Sequence, residues 1–275
     1  MNIYIRCIIM ILKSVPSLPL ILQGRFLLLY FMKILKLNSP NFDKRPDNSS
    51  IDTLIIHHTN MQDADSALKR LCSPEYTVSS HYLIDKHGVI YQLVPDHLRA
   101  WHAGISSWRG RESVNNFSIG IELDNQGAEP FPLQQIDSLI ALSKELITKH
   151  PIEARNVIAH YDIAPHRKDD PNHFFKWELL ASEGIGIFPN INYTAKQKVL
   201  SNLSYEDIIK IQHKLKIFGY SINPTGEFDF QTARVIIAFK RHFCFSSFLN
   251  NNQELWTLEA EKKLNHLMSM INEES

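Results

Sequence analysis

The sequence has few of the features that mark several protein classes. Its three cysteines, Cys7, Cys72 and Cys244, are widely spaced and form no C-x-x-C pair, so neither a disulfide framework nor a cysteine metal site is expected. The 29 lysines and arginines are balanced by 29 aspartates and glutamates, which gives no sign of a nucleic-acid-binding surface. The sequence contains no internal repeat and no low-complexity segment. These absences leave an ordinary globular protein as the expected class.

Long hydrophobic runs are lacking as well. The first 31 residues are strongly apolar, but Lys13 and Arg25 divide them into pieces too short to span a bilayer comfortably. Two interpretations stay open: a signal peptide or anchor with "SVPSLPLILQG" as its apolar core, or an extension upstream of a true start at Met32. The cell envelope, periplasmic or secreted, is the favoured location, whereas a start at Met32 without a signal predicts a cytoplasmic protein.

From Ile51 onward the sequence alternates as an α/β domain does. Strand-like apolar runs ("TLIIHHT", "SIGIELDN", "NVIAHYDI") and a hairpin pattern ("SHYLIDKHGVIYQLV") are interleaved with helical patterns ("DSALKRLC", "LQQIDSLIALSKELITKH"). This predicts an α/β fold with a central mixed β-sheet flanked by helices, followed by a small C-terminal three-helix domain. The predicted organisation is an N-terminal extension (1–48), the α/β domain (49–184), a linker (185–202) and the helical domain (203–275).

Histidine is unusually frequent, with 13 copies, and several lie where predicted strands end. His57 and His58 close one strand, His160 closes another, and Asp170 follows in the loop "HYDIAPHRKDDPN". Two imidazoles and one carboxylate suffice to hold a catalytic zinc with an open position for water. Because successive side chains on a strand point to opposite faces, only one of His57 and His58 is expected to reach the metal.

The same loop contains two rival ligands, Asp162 and His166, which spacing alone does not exclude. Each candidate, taken singly, is more often a structural residue, and the set gains weight only in combination. Glu122, inside the apolar run "SIGIELDN", is costly to bury unless it is paired or used, and such a place suits a general base. Lys168, near Asp170, is a candidate to stabilise an oxyanion, although a loop lysine is more often a solvated charge.

Five segments in order carry a family resemblance: "LIIHHT", "SSHYLIDKHGVIYQLVPD", "RAWHAG", "SIGIELDN" and "VIAHYDIAPHRKDDPN". Together they resemble the zinc-dependent N-acetylmuramoyl-L-alanine amidase family, in the branch that includes the broad-specificity outer-membrane amidase and the cytosolic anhydro-muropeptide amidase. The resemblance covers about 49–181. The segments "IIKIQHKLKIFGY" and "PTGEFDFQTARVIIAFKRHF" resemble a three-helix peptidoglycan-binding domain.

The resemblance implies a role for each matched residue. The family's three ligands to its single zinc are matched by His57, His160 and Asp170. Its catalytic glutamate is matched by Glu122, and the lysine two residues before the last ligand is matched by Lys168. Neither Asp162 nor His166 is placed on the metal. His58 is left as a neighbour in the pocket.

Four residues are predicted to contact substrate: His58, Thr59, Trp101 and His102. The alternative for "AWHAG" is a packed Trp101 beside a locally satisfied His102.

The resemblance predicts hydrolysis of the amide between the lactyl group of N-acetylmuramic acid and L-alanine, in peptidoglycan or muropeptides. The helical domain is expected to tether the enzyme to its polymer without touching the chemistry. No obligate protein partner is implied. The alternatives are a non-catalytic peptidoglycan-recognition module and a zinc peptidase that cuts within the stem peptide.

Overall fold

A computed structural model describes residues 34–191, 198–248 and 253–273. The apolar N-terminal stretch, which was interpreted either as a signal peptide or anchor or as an extension upstream of Met32, lies outside these residues. No helix in the described part is long and apolar enough to cross a membrane.

The described strands of the chain are β1 (Ile34–Lys36), β2 (Phe42–Lys44), β3 (Thr53–His58), β4 (Tyr82–Ile84), β5 (Ile90–Gln92), β6 (Leu98–Ala100), β7 (Ser107–Trp108), β8 (Arg111–Glu112), β9 (Ser118–Leu123) and β10 (Val157–Ala159). The centre of the molecule is a six-stranded sheet with the strand order β1-β5-β4-β9-β3-β10. β3 pairs in parallel with β9 and β10, β4 pairs in parallel with β9, and β4 and β5 form the antiparallel hairpin. The predicted mixed sheet is therefore confirmed.

The central strands are continuous apolar runs because both faces of the sheet are covered. Leu54, Ile55 and Ile56 of β3 are all fully buried. The described helices of the chain are α1 (Ala64–Leu71), α2 (Leu133–Lys149), α3 (His160–Ile163), α4 (Trp177–Ser182), α5 (Tyr205–Phe218), α6 (Phe230–Phe243), α7 (Phe245–Phe248) and α8 (Leu258–Glu273).

The C-terminal domain consists of the long helices α5, α6 and α8 with the short α7, as the helical patterns predict. Local hydrogen bonds fix where two of them begin. The Ser204 hydroxyl accepts from the backbone N–H of Asp207, whose carboxylate accepts from the N–H of Ser204, and Asp229 accepts from the N–H of Thr232. Such caps satisfy backbone donors that the first turn of a helix leaves free.

The helical domain packs directly against the sheet domain. Trp108, fully buried, meets the rings of Phe218 and Tyr220 edge-on at centroid distances of 5.9 and 5.3 Å. Gly219 lies against the same indole, since a Cβ added there would come within 2.7 Å of it. Both domains therefore share one hydrophobic core.

The segments on both sides of the predicted α/β domain contact it. The described part of the extension is paired: β1 adds a strand to the sheet, and β2 pairs with β6. The Arg45 guanidinium donates to the carbonyls of Asn115, Asn116 and Ser118. Backbone pairing and the half-buried Arg45 thus join 34–45 to the α/β domain.

At the other end, Ile185 and Ile187 of the predicted linker are buried in the core. The segment "NVIAHYDI" also differs from a simple strand. β10 ends at Ala159, and His160 begins the short helix α3.

Candidate active site

Three parallel strands bring the candidate residues to one edge of the sheet. In the register of β3 and β9, His57 lies directly beside Glu122, and His58 lies beside Leu123. Neighbours in register point to the same face, so His57 and Glu122 share a face at the carboxyl ends of their strands. β10, on the other side of β3, leads directly into His160.

His57, His160 and Asp170 converge on one point. Their ligand atoms, Nδ1, Nδ1 and Oδ2, lie 3.0 Å from one another in all three pairings. In a tetrahedral zinc site with bonds of about 2.0–2.1 Å, ligand atoms are about 3.3 Å apart. The three atoms therefore form a triangle close in size to one face of such a tetrahedron, and they are a candidate metal site.

Hydrogen bonds on the outer side of each ring determine which nitrogen carries the proton. His160 Nε2 lies 3.2 Å from the carbonyl oxygen of Ala103, which can only accept. The proton must therefore be on Nε2, which leaves Nδ1 with a free lone pair facing the other ligands.

A longer chain fixes His57 in the same way. The Ser118 hydroxyl donates to the Val114 carbonyl (2.7 Å), so its oxygen accepts from His102 Nε2 (3.2 Å). His102 Nδ1 is then an acceptor for the Nε2–H of His57 at 3.0 Å. The Nδ1 lone pair of His57 is thereby directed at the metal site. Histidines that bind metals usually donate their other ring N–H to a neighbouring acceptor in this way.

His102 was predicted to contact substrate, and the structure places both of its ring nitrogens in this hydrogen-bond network. Its ring borders the cleft, and its polar atoms act through His57. The close approach requires Gly120, because a Cβ there would lie 2.5 Å from the His102 ring. Neither Ser118 nor the Ala103 carbonyl was identified from the sequence, since a serine and a backbone carbonyl carry no motif.

The electrostatics of the site favour a neutral His57 and a protonatable Glu122. Burial, and then the neighbouring His160, lower the pKa of His57 to about 4. Burial, and then the charge of Asp170, raise the pKa of Glu122 to about 8. Glu122 Oε2 is buried and has no hydrogen-bond partner in the described structure. A buried carboxylate oxygen without a donor is costly unless a ligand or reactant uses it.

The remaining predicted residues surround a cleft of about 630 Å³ beside these groups. It is lined by His58, Thr59, Trp101 and Lys168, together with Glu122 and Arg70.

Two neighbouring residues of this rim are held by local hydrogen bonds. His58 accepts from the backbone N–H of Asn172 at 2.9 Å and does not belong to the metal cluster. Thr59 donates to the carbonyl of Asn125 at 3.2 Å.

The rival ligands lie elsewhere. Asp162 is fully buried and accepts from three donors away from the cluster, including the hydroxyl of Tyr220 at 2.6 Å. His166 is exposed and stacks on Phe230, with ring centroids 5.9 Å apart. The structure therefore separates both residues from the candidate metal site.

Comparison with known proteins agrees with this arrangement. A family model described as N-acetylmuramoyl-L-alanine amidase matches residues 47–173, and a model for a peptidoglycan binding domain matches 204–246. Amidases of this family are zinc-dependent in general, and the histidine–histidine–aspartate cluster is the corresponding candidate site.

The N-acetylmuramoyl-L-alanine amidase AmiD of Escherichia coli is 39% identical over 213 residues, which are 70% of this chain and 75% of that protein. The 1,6-anhydro-N-acetylmuramyl-L-alanine amidase AmpD of Haemophilus influenzae is 36% identical over 165 residues, 54% of this chain and 90% of that protein. The structure of E. coli AmiD, solved with the substrate anhydro-N-acetylmuramic acid-L-Ala-D-gamma-Glu-L-Lys, aligns with a TM-score of 0.70 at 33% identity, covering 82% of this chain and 93% of that one. This chain therefore belongs to the N-acetylmuramoyl-L-alanine amidase family and is an amidase with a C-terminal peptidoglycan binding domain.

Proposed function

We propose that this chain hydrolyses the amide between the lactyl group of N-acetylmuramic acid and the L-alanine of the stem peptide, with one Zn²⁺ held by His57, His160 and Asp170. The observation that carries the proposal is the triangle of three ligand atoms, 3.0 Å apart, whose free lone pairs face one point. Bound there, zinc supplies a water of lowered pKa and a Lewis acid for the amide carbonyl.

Glu122 is the proposed general base. Its carboxylate lies in register with His57, has no hydrogen-bond partner in the described structure at Oε2, and has a pKa raised to about 8. A carboxylate whose pKa is raised above its usual range takes a proton more readily than an exposed one. Glu122 accepts the proton of the attacking water and returns it to the leaving amine of L-alanine.

Lys168 is the proposed stabiliser of the tetrahedral oxyanion. It is half-buried and lines the same cleft as Glu122. Removing one such donor typically lowers the rate by about 10²–10³-fold. His58, Thr59 and Trp101 on the rim are the proposed contacts for the sugar–peptide junction, where an aromatic face can pack against a sugar ring.

The proposed substrates are peptidoglycan and its muropeptides. The peptidoglycan binding domain favours a polymeric substrate, while the AmiD complex makes an anhydro-muramoyl tripeptide a suitable test compound. Neither nucleic acid nor an obligate protein partner is part of the proposal. We place the protein in the cell envelope, and fractionation of cells that express versions starting at Met1 and at Met32 tests this location.

A product analysis tests the reaction. Digestion of peptidoglycan followed by mass spectrometry should reveal free stem peptides that begin with L-alanine. Cleavage within the stem would indicate a peptidase, and absence of products with zinc-loaded protein would indicate a recognition module. The complete ligand set together with Glu122 favours the enzyme.

A metal analysis tests the choice between the adjacent histidines. His57→Ala should abolish zinc binding, while His58→Ala should keep close to one zinc per chain. The His58 ring accepts a hydrogen bond from the backbone N–H of Asn172 and is not part of the ligand cluster. Stoichiometric zinc in His57→Ala, or its loss in His58→Ala, would contradict the assignment.

A further inference from the structure

The segment 160–170, here called the metal loop, carries two of the three proposed ligands and Lys168. Within its own domain the loop is anchored by Arg167, which donates to the carbonyls of Ala103 and Ile105. The backbone N–H of Tyr161 also bonds to the carbonyl of Asp170 at 3.2 Å. The opposite side of the loop contacts the helical domain.

The strongest of these contacts is at Asp162, two residues beyond the ligand His160. Its carboxylate, with no exposed surface, accepts from Tyr220 Oη at 2.6 Å and from His242 Nδ1 at 2.7 Å. It also accepts from the backbone N–H of Ala159 at 2.9 Å. Trp177 of the sheet domain stacks on the His242 ring at a centroid distance of 3.9 Å and holds that donor in place.

A second contact lies at the other end of the loop. Asp169, next to the ligand Asp170, pairs with Arg241 at 2.7 Å and with Arg234 at 3.6 Å. Arg234 Nε also donates to the Pro165 carbonyl at 2.8 Å. The Asp169 side chain is 66% exposed, so solvent screens these ion pairs and they contribute less than the buried contact at Asp162.

We propose that Tyr220 and His242 are positioning residues of the amidase reaction, through which the helical domain holds the metal loop in its ligand-binding geometry. Ligands must be held within about 0.5 Å of their productive positions. His160 precedes and Asp170 follows the point that these two side chains fix. The helical domain, which the sequence presents only as a tether to the polymer, is on this view also part of the support of the metal centre.

This inference rests on the proposed zinc site and deepens it. The test uses the full-length, zinc-loaded protein and measures two properties: the rate at which zinc is released to a chromogenic chelator, and kcat and KM on an anhydro-muramoyl peptide. Tyr220→Phe removes one hydroxyl and keeps the ring that packs on Trp108.

The chain offers a matched control in Tyr82→Phe. Tyr82 Oη also donates at 2.6 Å to a buried carboxylate, that of Asp96, which further contacts Lys149 and not the metal loop. Tyr82 Oη also accepts from Gln92 Nε2 at 3.1 Å, so Tyr82→Phe loses at least as much hydrogen bonding as Tyr220→Phe. A loss of stability alone therefore affects both variants.

We expect Tyr220→Phe to release zinc about 10-fold faster than the wild type, as is usual when outer support of a ligand is lost. Its kcat should fall with KM unchanged, while Tyr82→Phe should match the wild type in both. His242→Asn, which keeps an N–H donor near the Nδ1 position, should release zinc more slowly than His242→Leu.

The inference would be overturned if Tyr220→Phe released zinc at the same rate as Tyr82→Phe and the two His242 variants released zinc at equal rates. That result would not contradict the zinc site. A wild-type protein that binds no zinc would overturn the site itself. Hydrogen exchange of the metal-free proteins gives an independent reading, because the metal loop should exchange faster in Tyr220→Phe and at the wild-type rate in Tyr82→Phe.

Discussion

Asp162 and Asp170 lie in the same loop, yet their carboxylates have opposite surroundings. Every neighbour of the Asp162 carboxylate is a donor: the Tyr220 hydroxyl, the His242 ring and a backbone N–H. Asp170 Oδ2 instead faces two ring nitrogens whose protons lie on the far side of each ring. A satisfied carboxylate stabilises the fold, whereas one that meets lone pairs requires a cation.

The largest expected effect comes from replacing Asp170, with a replacement of Asp162 as the comparison. Asp170→Ala should bind no zinc and lose activity by more than the roughly 10²–10³-fold that one missing transition-state donor costs, because the metal supplies several effects together. Asp162→Asn should still bind one zinc and unfold at a lower temperature, since it weakens a buried, charge-assisted network. Metal content by atomic spectroscopy and melting curves check both. The comparison fails if Asp162→Asn is metal-free while fully folded.

The second prediction concerns Glu122, whose buried Oε2 has no hydrogen-bond partner in the described structure. Glu122→Gln should keep one zinc and lose about 10²–10⁴-fold in kcat, the usual contribution of a general base. Steady-state kinetics on a muropeptide and parallel zinc analysis check this. Retention of near wild-type turnover would show that Glu122 does not move the proton.

The third prediction tests the hydrogen-bond chain behind His57. His102→Phe keeps a ring in the site but removes the acceptor for His57 Nε2–H, so zinc affinity should fall by about 10–100-fold. Competition with a zinc chelator measures the affinity. An unchanged affinity would mean that His102 serves the cleft, as the sequence predicts, and not the ligand.

The smallest expected effect is on the pH dependence of stability in the metal-free protein. Burial raises the pKa of Glu122 from 4.5 to about 8, so the folded state binds a proton that the unfolded state has released across this window. Wild-type stability should therefore fall as pH rises between these values, and Glu122→Gln should not show this component. The variant should melt with the wild type at about pH 4 and above it at about pH 8. Parallel melting curves over the whole range would contradict the raised pKa.

Much of the fold could be predicted from the sequence because the signals are local. The apolar run at β3, the hairpin turning at Gly88 and the helical spacing of α2 each depend on residues close together in the chain. Strand geometry likewise separates His57 from His58, since adjacent side chains face opposite ways. The family resemblance then leads from one histidine to its distant partners.

Other features could not be predicted because they depend on residues far apart in sequence. The sequence alone does not show that His102 supports His57, because the hydrogen bond that orients its ring comes from Ser118, 16 residues away. Asp162 is identified as structural only by Tyr220 and His242. The pairing of β1 and the anchoring of Arg45 join an irregular N-terminal segment to the sheet.

The sequence by itself determined the α/β and helical patterns and the residue types able to hold a metal, because periodicity and spacing are properties of the chain. Its ordered motifs also carry the resemblance to the amidase family. Only the tertiary structure decided which nitrogen of each histidine faces the cluster, that Glu122 Oε2 is buried without a hydrogen-bond partner in the described structure, and that the helical domain contacts the metal loop. These depend on hydrogen bonds and burial between residues that only folding brings together.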